Sequence, residues 1–209
     1  MSGPPIRDAA TVVVLRDGAV LMGQRGAKAA FMPSKFVFPG GGVEAGDATV
    51  PLAAPLEART AAALAADSDV PPEALAAAGL RELGEETGQR IGRPGAGCPW
   101  PGWDGLVPDP SGLRMIFRAV TPPGRPRRFD ARFLLIDAHA LATDADDFRE
   151  AEAELSHLRW VPLAEARDLD VPFVTEVVLA EVAAHAAGRA AEGVPFLDNR
   201  GDGSRVARL

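Results

Sequence analysis

Three carboxylates, Glu82, Glu85 and Glu86, stand at spacings of three and four within Leu80–Gly88, which reads Leu-Arg-Glu-Leu-Gly-Glu-Glu-Thr-Gly. On a helix those positions share one face. Like charges so placed cost about 0.2–0.5 kcal/mol per pair in an isolated helix, so the cluster needs something positive beside it. Arg81 reaches Glu85 one turn on and neutralises one charge. A hard divalent cation, which prefers oxygen ligands, accounts for the rest. A solvated acidic face is the competing reading of any Glu-Glu pair, and the glycine-rich stretch upstream weighs against it. Gly40, Gly41 and Gly42 follow a short apolar run and Pro39. Glycines permit positive φ and let a carbonyl approach a ligand closely. By composition alone such a triplet is a loop; Asp47 follows it in a compact turn.

The elements that must hold these groups can be read in outline. Leu80 and Leu83, with Ala76 and Thr87 a turn away, mark the apolar side of a helix from about Pro72 to Thr87. Proline suits its first turn and Gly88 its C-terminal cap. Thr11–Leu15 and Ala19–Gln24 read as strands joined by the hairpin signal Asp17-Gly18. Phe36–Phe38, Leu113–Val120, Phe129–Asp137 and Leu158–Val161 are further strands. Leu56–Ala66 is a short helix, Pro162–Arg167 opens a helical turn, and Phe173–Ala187 is a longer amphipathic helix. Arg25–Lys35, the Pro- and Gly-rich 91–112 stretch, the basic 121–128 stretch and the acidic 144–154 stretch read as loops; the tail after Gly188 shows no period. Strand pairs with helices between them predict an α+β fold, an α/β/α sandwich with a mixed sheet.

The chain of 209 residues, 47% hydrophobic and 24% charged, matches one globular domain spanning 1–209. The net charge of −7 argues against a nucleic acid polymer as partner. No apolar run is long enough for a membrane span. The N-terminus lacks the order of a signal peptide, so a cytoplasmic location is the default expectation. One cysteine, Cys98, rules out a disulfide framework and a multi-cysteine zinc site. A long terminal helix leaves room for a homodimer.

Taken together, Gly41 with Asp47, then Arg81-Glu82-Leu83-Gly84-Glu85-Glu86-Thr87-Gly88, resembles the signature of the Nudix hydrolases. Phe38-Pro39-Gly40-Gly41 is similar to the family's usual lead-in. Three positions depart from it. Gln89 stands where the family has an apolar residue, Asp47 where it has Glu, and positions 48–80, 33 residues, replace a gap of seven. A helical insertion at this place, about 48–71, resembles the peroxisomal-type coenzyme A diphosphatase branch. So do Ala30-Phe31-Met32-Pro33, Arg127–Phe133 and Leu158-Arg159-Trp160. In the upstream motif of the better-known coenzyme A branch, only Leu21 and Arg25 agree.

The resemblance implies hydrolysis of a diphosphate in a small molecule, with Mg²⁺ or Mn²⁺ neutralising its charge and activating water. It places the metal on Glu82, Glu85, Glu86 and the Gly41 carbonyl. Glu82 and Glu86 come first among these, and Glu85 serves more as a partner of Arg81. Arg81 positions the carboxylates, and Asp47 supports the turn or the metal shell. Catalytic candidates are Glu85, Glu86, Arg81 and Glu154, with Glu152 competing with Glu154 as base. Arg25, Lys35 and Arg128 are candidates for substrate phosphates; Trp100 and Trp103 stack on a base or pack their loop; His139, His157 and His185 are surface or packing residues. Coenzyme A or an acyl-CoA is the first-choice substrate. ADP-ribose, a nucleotide sugar or a nucleoside triphosphate is the alternative, and a non-catalytic nucleotide sensor the alternative of another class. The intact carboxylate set favours the enzyme.

Overall fold

The computed structural model describes residues 4–201 and 203–209. In chain order the elements are β1 (Ile6–Arg16), β2 (Ala19–Arg25), β3 (Phe36–Val37), β4 (Gly40–Gly42), α1 (Ala58–Ala65), α2 (Pro72–Thr87), β5 (Gly92–Pro94), β6 (Leu106–Pro108), β7 (Arg114–Val120), β8 (Arg128–Asp137), β9 (Leu155–Pro162), α3 (Phe173–Ala186), β10 (Pro195–Asp198) and β11 (Arg205–Arg208), with short 3₁₀ turns at 45–49, 138–140 and 166–168.

β1 is the axis of the molecule. It runs parallel to β8 from Ile6 opposite Arg128 to Leu15 opposite Asp137. It turns back into β2 through Asp17 and Gly18, both at positive φ, as a tight right-twisted hairpin demands. The mixed sheet runs β11-β10-β7-β8-β1-β2-β3, with β4 added to β1 and β9 to β2.

Helices cover both faces, and alternate residues on each strand serve them in turn. Ala10, Val12, Val14, Leu21, Leu134 and Ile136 pack with Leu75, Leu80 and Leu83 of α2. Val13, Val20, Met22, Phe133 and Leu135 pack with Val178, Leu179 and Val182 of α3. The expected α/β/α sandwich is therefore observed. α3 is less amphipathic than expected: it buries one narrow stripe, and Phe173 at its start is 70% exposed.

Three stretches differ from the sequence expectation. Gly40–Gly42 is a strand, with Gly40, Gly41 and Gly42 opposite Thr11, Ala10 and Ala9 of β1. A Cβ on Gly40 would sit 2.6 Å from the Ala10 carbonyl oxygen and the Thr11 Cα, so only glycine lets the two backbones come this close. The 91–112 loop contains the antiparallel pair β5–β6. The tail after Gly188 supplies β10, parallel to β7, and β11, antiparallel to β10.

The insertion is part of the packed body. Glu57 caps α1 by accepting from the amides of Arg59 and Thr60. The Thr60 hydroxyl donates to the Leu113 carbonyl at 3.0 Å, and Leu56 and Leu64 are buried in the core. The loop closing α1 is received by two fully buried arginines: Arg118 donates to the carbonyls of Ala66 and Asp67, and Arg132 to the Ser68 hydroxyl. Among the described residues no helix is long and apolar enough to cross a membrane.

Candidate active site

α2 lies against β1 and β4 because small residues let it. At Gly79 a Cβ would meet Val12 at 3.1 Å, and at Gly84 it would meet the Trp103 indole at the same distance. The helix ends at Gly88, whose left-handed backbone (φ 73°) lets its amide donate to the Gly84 carbonyl at 2.9 Å. The face carrying Glu82 and Glu86 is thereby laid on the glycine strand.

The contact is close. A Cβ on Gly41 would fall 2.3–2.7 Å from the Glu82 carboxylate, so this position must be glycine for Glu82 to lie where it does. The Gly40 amide donates to Glu86 Oε2 at 2.8 Å. Glu86 is 3% exposed, and its other oxygen, Oε1, is buried without a hydrogen-bond partner among the described residues. A buried carboxylate oxygen with no donor costs free energy unless a cation meets it.

Arg81 organises the opposite side. Its Nε and one terminal nitrogen clasp both oxygens of Asp47, at 3.0 and 3.1 Å, and that nitrogen also donates to the Gly42 carbonyl. The other terminal nitrogen donates to Glu82 and to Glu85, each at 3.0 Å. Burial opposes its charge, but the Asp47, Glu82 and Glu85 carboxylates outweigh that and hold the guanidinium more firmly protonated than usual. Asp47 also accepts from the Glu44 amide, so the turn after β4 and the helix are fastened to one another. The two halves of the signature meet at this bidentate pair, 34 positions apart.

Burial drives the carboxylates the other way. It pushes Glu86 up to about 8, against the Gly40 hydrogen bond and with the charges of Glu82 and Glu154 adding to it. It pushes Glu82 up to about 7, against the pull of Arg81. Glu85 is raised from the same cause, opposed by Arg81. Glu154 is reached through Arg25. Arg25 donates to Glu154 Oε1 at 2.7 Å and stands 4.0 Å from Glu86 Oε1, while its own buried Nε has no partner among the described residues.

The structure thus gathers Arg81, Glu82, Glu85, Glu86, Gly41, Asp47, Arg25 and Glu154. Lys35 is ion-paired with Asp170, and Arg128 donates to the Thr121 and Asn199 carbonyls, so both are engaged elsewhere. Trp103 is buried and meets Trp100 edge to face at 5.3 Å, which is packing within the loop. His139 bonds Asp137, His157 is exposed beside Ser156, and His185 lines a separate cavity.

One residue with a positional role was visible in the sequence only as a departure from the motif. Gln89 is fully buried; its amide donates to the Asp144 and Asp147 carbonyls at 3.0 and 2.8 Å and accepts from the Thr143 hydroxyl at 2.8 Å. Trp160 donates to the Ala145 carbonyl, Arg90 pairs with Glu150 at 2.6 Å, and the Glu152 amide donates to the Glu85 carbonyl. The acidic loop carrying Glu154 is therefore hung from the end of α2. A polar residue in an apolar slot was the signal for it.

Among the described residues no three His, Cys, Asp or Glu side chains form a ready-made metal cage. The donors nevertheless suit Mg²⁺ or Mn²⁺. Both take oxygen ligands, and Mg²⁺ usually completes its shell with waters and substrate phosphates rather than with protein alone. Glu82 and Glu86 would supply carboxylate oxygen, with the unpartnered Glu86 Oε1 the clearest vacancy in the local hydrogen bonding.

A mixed sheet between helices, with a carboxylate helix seated on a glycine strand, defines a protein of the Nudix fold. No protein-family model matches the chain, and no curated protein does. Solved structures match throughout the fold. A Nudix hydrolase from Alicyclobacillus acidocaldarius is 32% identical at a TM-score of 0.64, covering 87% of this chain and 93% of that one. The chain belongs to the Nudix hydrolase family, and its reaction class is hydrolysis of a diphosphate. The Nudix domain of Shewanella oneidensis NrtR, solved with ADP ribose, shares the fold at 13% identity, a TM-score of 0.51 and coverage of 87% and 89%. The MutT protein of Methanosarcina mazei Go1 does so at 15% identity, 0.52, and 90% and 99%.

Proposed function

We propose that the protein is a metal-dependent diphosphatase acting on a nucleoside diphosphate derivative, with coenzyme A or an acyl-CoA as the substrate of first choice. The observation that carries the diphosphatase reading is the buried Glu82–Glu86 pair against Gly40–Gly41, with one carboxylate oxygen left without a donor. Two buried carboxylates with raised pKa values hold a place for positive charge. A divalent cation, when bound, supplies charge neutralisation at the diphosphate and lowers the pKa of attacking water.

The chain's own residues divide the remaining work. Glu82 and Glu86 hold the cation, and the Gly40 amide fixes the orientation of Glu86. Arg81 favours the ionised forms of Glu82 and Glu85 against their burial and aims them, and Asp47 keeps Arg81 in place. Arg25 stands between Glu86 and Glu154, where it can meet a substrate phosphate while holding Glu154 near the reacting centre. Glu154 is more than half exposed, open to a water molecule, and serves as general base in this reading.

The coenzyme A preference is supported by the insertion between the two signature halves and by the phrases around Phe31, Phe129 and Trp160. A panel of coenzyme A, acetyl-CoA, ADP-ribose, a nucleotide sugar and a nucleoside triphosphate, each with Mg²⁺ or Mn²⁺, tests it. Coenzyme A is expected to be cleaved with the highest kcat/KM. AMP released from ADP-ribose with coenzyme A untouched would replace the substrate; saturable binding without any hydrolysis would replace the enzyme with a sensor.

A further inference from the structure

A cavity of about 280 Å³ lies between the start of α1, the start of β7, the end of α3 and the segment leading into β10. It shares no residue with the Glu82–Glu86 centre. Three basic side chains from three elements line it: Arg59, Arg114 and His185. Thr60 and Val194 are buried in its wall, and Glu192 lines it as the one acid.

The charge there is unbalanced in the opposite sense to the catalytic centre. Among the described residues no carboxylate lies within ion-pair distance, 4.0 Å, of either guanidinium. Glu57 and Asp137 feel Arg59 and Arg114 only from farther off. The charges of both arginines are felt at His185. After burial, they are the causes that hold the His185 imidazole below its usual pKa, with Glu181 opposing them. In a chain of net charge −7, two guanidiniums without an ion-pair partner among the described residues line one concavity and make it locally positive, with His185 beside them held toward its neutral form.

We infer that this cavity binds a phosphate group, separately from the catalytic centre. Guanidinium presents fixed forks of N–H donors that match phosphate oxygens, and two forks from different elements specify a tetrahedral dianion better than a planar monoanion. Occupation would join α1, within the insertion, to β7 and α3, because one arginine belongs to the insertion and the other to the central sheet.

Titration calorimetry tests this with two probes, inorganic phosphate and AMP. The proteins are the native chain, Arg59→Ala, Arg114→Ala, Arg114→Lys and Glu86→Gln. Saturable binding of at least one probe is expected in the native chain and in Glu86→Gln. Each arginine-to-alanine change is expected to weaken it by at least about tenfold, since a charged hydrogen bond contributes about 1.5–3 kcal/mol. Arg114→Lys should recover part of the loss. Tighter AMP than phosphate would mean that the cavity also reads an organic group; equal affinity would mean that it reads phosphate alone. Loss of binding in Glu86→Gln with retention in the arginine variants would move the ligand to the catalytic centre and overturn the inference, as would absence of saturable binding in the native chain. Thermal melts of Arg59→Ala, at an exposed position of α1, separate a lost site from a lost fold.

Discussion

Two clusters of buried arginine and carboxylate sit in this fold, and they treat charge differently. Where the insertion meets the sheet, Arg118 and Arg132 face Asp130 and Asp8. Arg118 clasps both oxygens of Asp130 at 2.7–2.8 Å, and Arg132 reaches Asp8 and the Asp130 carbonyl. Two cations meet two anions, and only the Arg132 Nε is left over among the described residues. At the carboxylate helix, Arg81 and Arg25 face Asp47, Glu82, Glu85, Glu86 and Glu154. Both clusters desolvate charge, which costs several kcal/mol per ion unless it is paired. The first is balanced and holds the chain in shape. The second sets five carboxyl groups against two guanidiniums, and burial raises the pKa of Glu82 and Glu86 there, so that part of the site takes up a proton where a cation is proposed to bind.

The contrast can be broken most sharply at Glu86. Glu86→Gln is expected to lower turnover on the order of 10³-fold while the fold survives. Because burial has raised its pKa from 4.5 to about 8, the folded metal-free chain binds this proton more tightly than the unfolded chain does. Its contribution to stability is present at low pH and is lost as pH rises through about 8. Metal-free native protein should therefore lose more thermal stability between pH 5 and pH 9 than Glu86→Gln does, and added Mn²⁺ should restore the native protein alone. Parallel pH–melting curves for the two proteins would undo this account of the site.

At the balanced cluster the expected effect is on stability. Asp130→Ala leaves Arg118 buried without its carboxylate and should cost about 3–5 kcal/mol in denaturant unfolding. Activity per folded molecule should stay near native. A large fall in kcat with unchanged stability would show that this cluster, too, works for the reaction. The smallest effect belongs to Gln89→Leu, which restores the family's apolar residue and drops the tether on the acidic loop. About a threefold to tenfold fall in kcat is expected, with KM and melting temperature little changed. An unaltered kcat would show that Gln89 is packing alone.

Much of the site is legible in the sequence. The 3.6-residue spacing of Glu82, Glu85 and Glu86 against Leu80 and Leu83 placed both faces of α2, and Pro72 and Gly88 its ends. The Arg81–Glu85 contact followed from helix geometry. What remained hidden has physical reasons. A strand of three glycines has no side-chain alternation to betray it; its pairing is set by how closely β1 can approach. β5, β6, β10 and β11 span three or four residues each, too short for a period, and they are strands because of partners far away in the chain. For Arg118, Asp130 and Arg132 nothing local says that two neighbouring strands aim them at one another. Nor does anything local announce that Arg128, a candidate for substrate phosphates, donates from Nε and one terminal nitrogen to two backbone carbonyls.

The bidentate bridge between Asp47 and Arg81 also sets how freely this enzyme can be lengthened. It pins the two ends of the excursion together, so the residues between them form a closed loop whose entropy grows only with the logarithm of its length. Going from the family's seven residues to the 33 found here costs about 1.4 kcal/mol, before any packing is counted. Pro51 and Pro55 are exposed at the start of that loop, but the Ala53 amide between them donates to the Pro108 carbonyl at 2.8 Å, so the lengthened excursion is held to the 91–112 segment as well as closed at its ends.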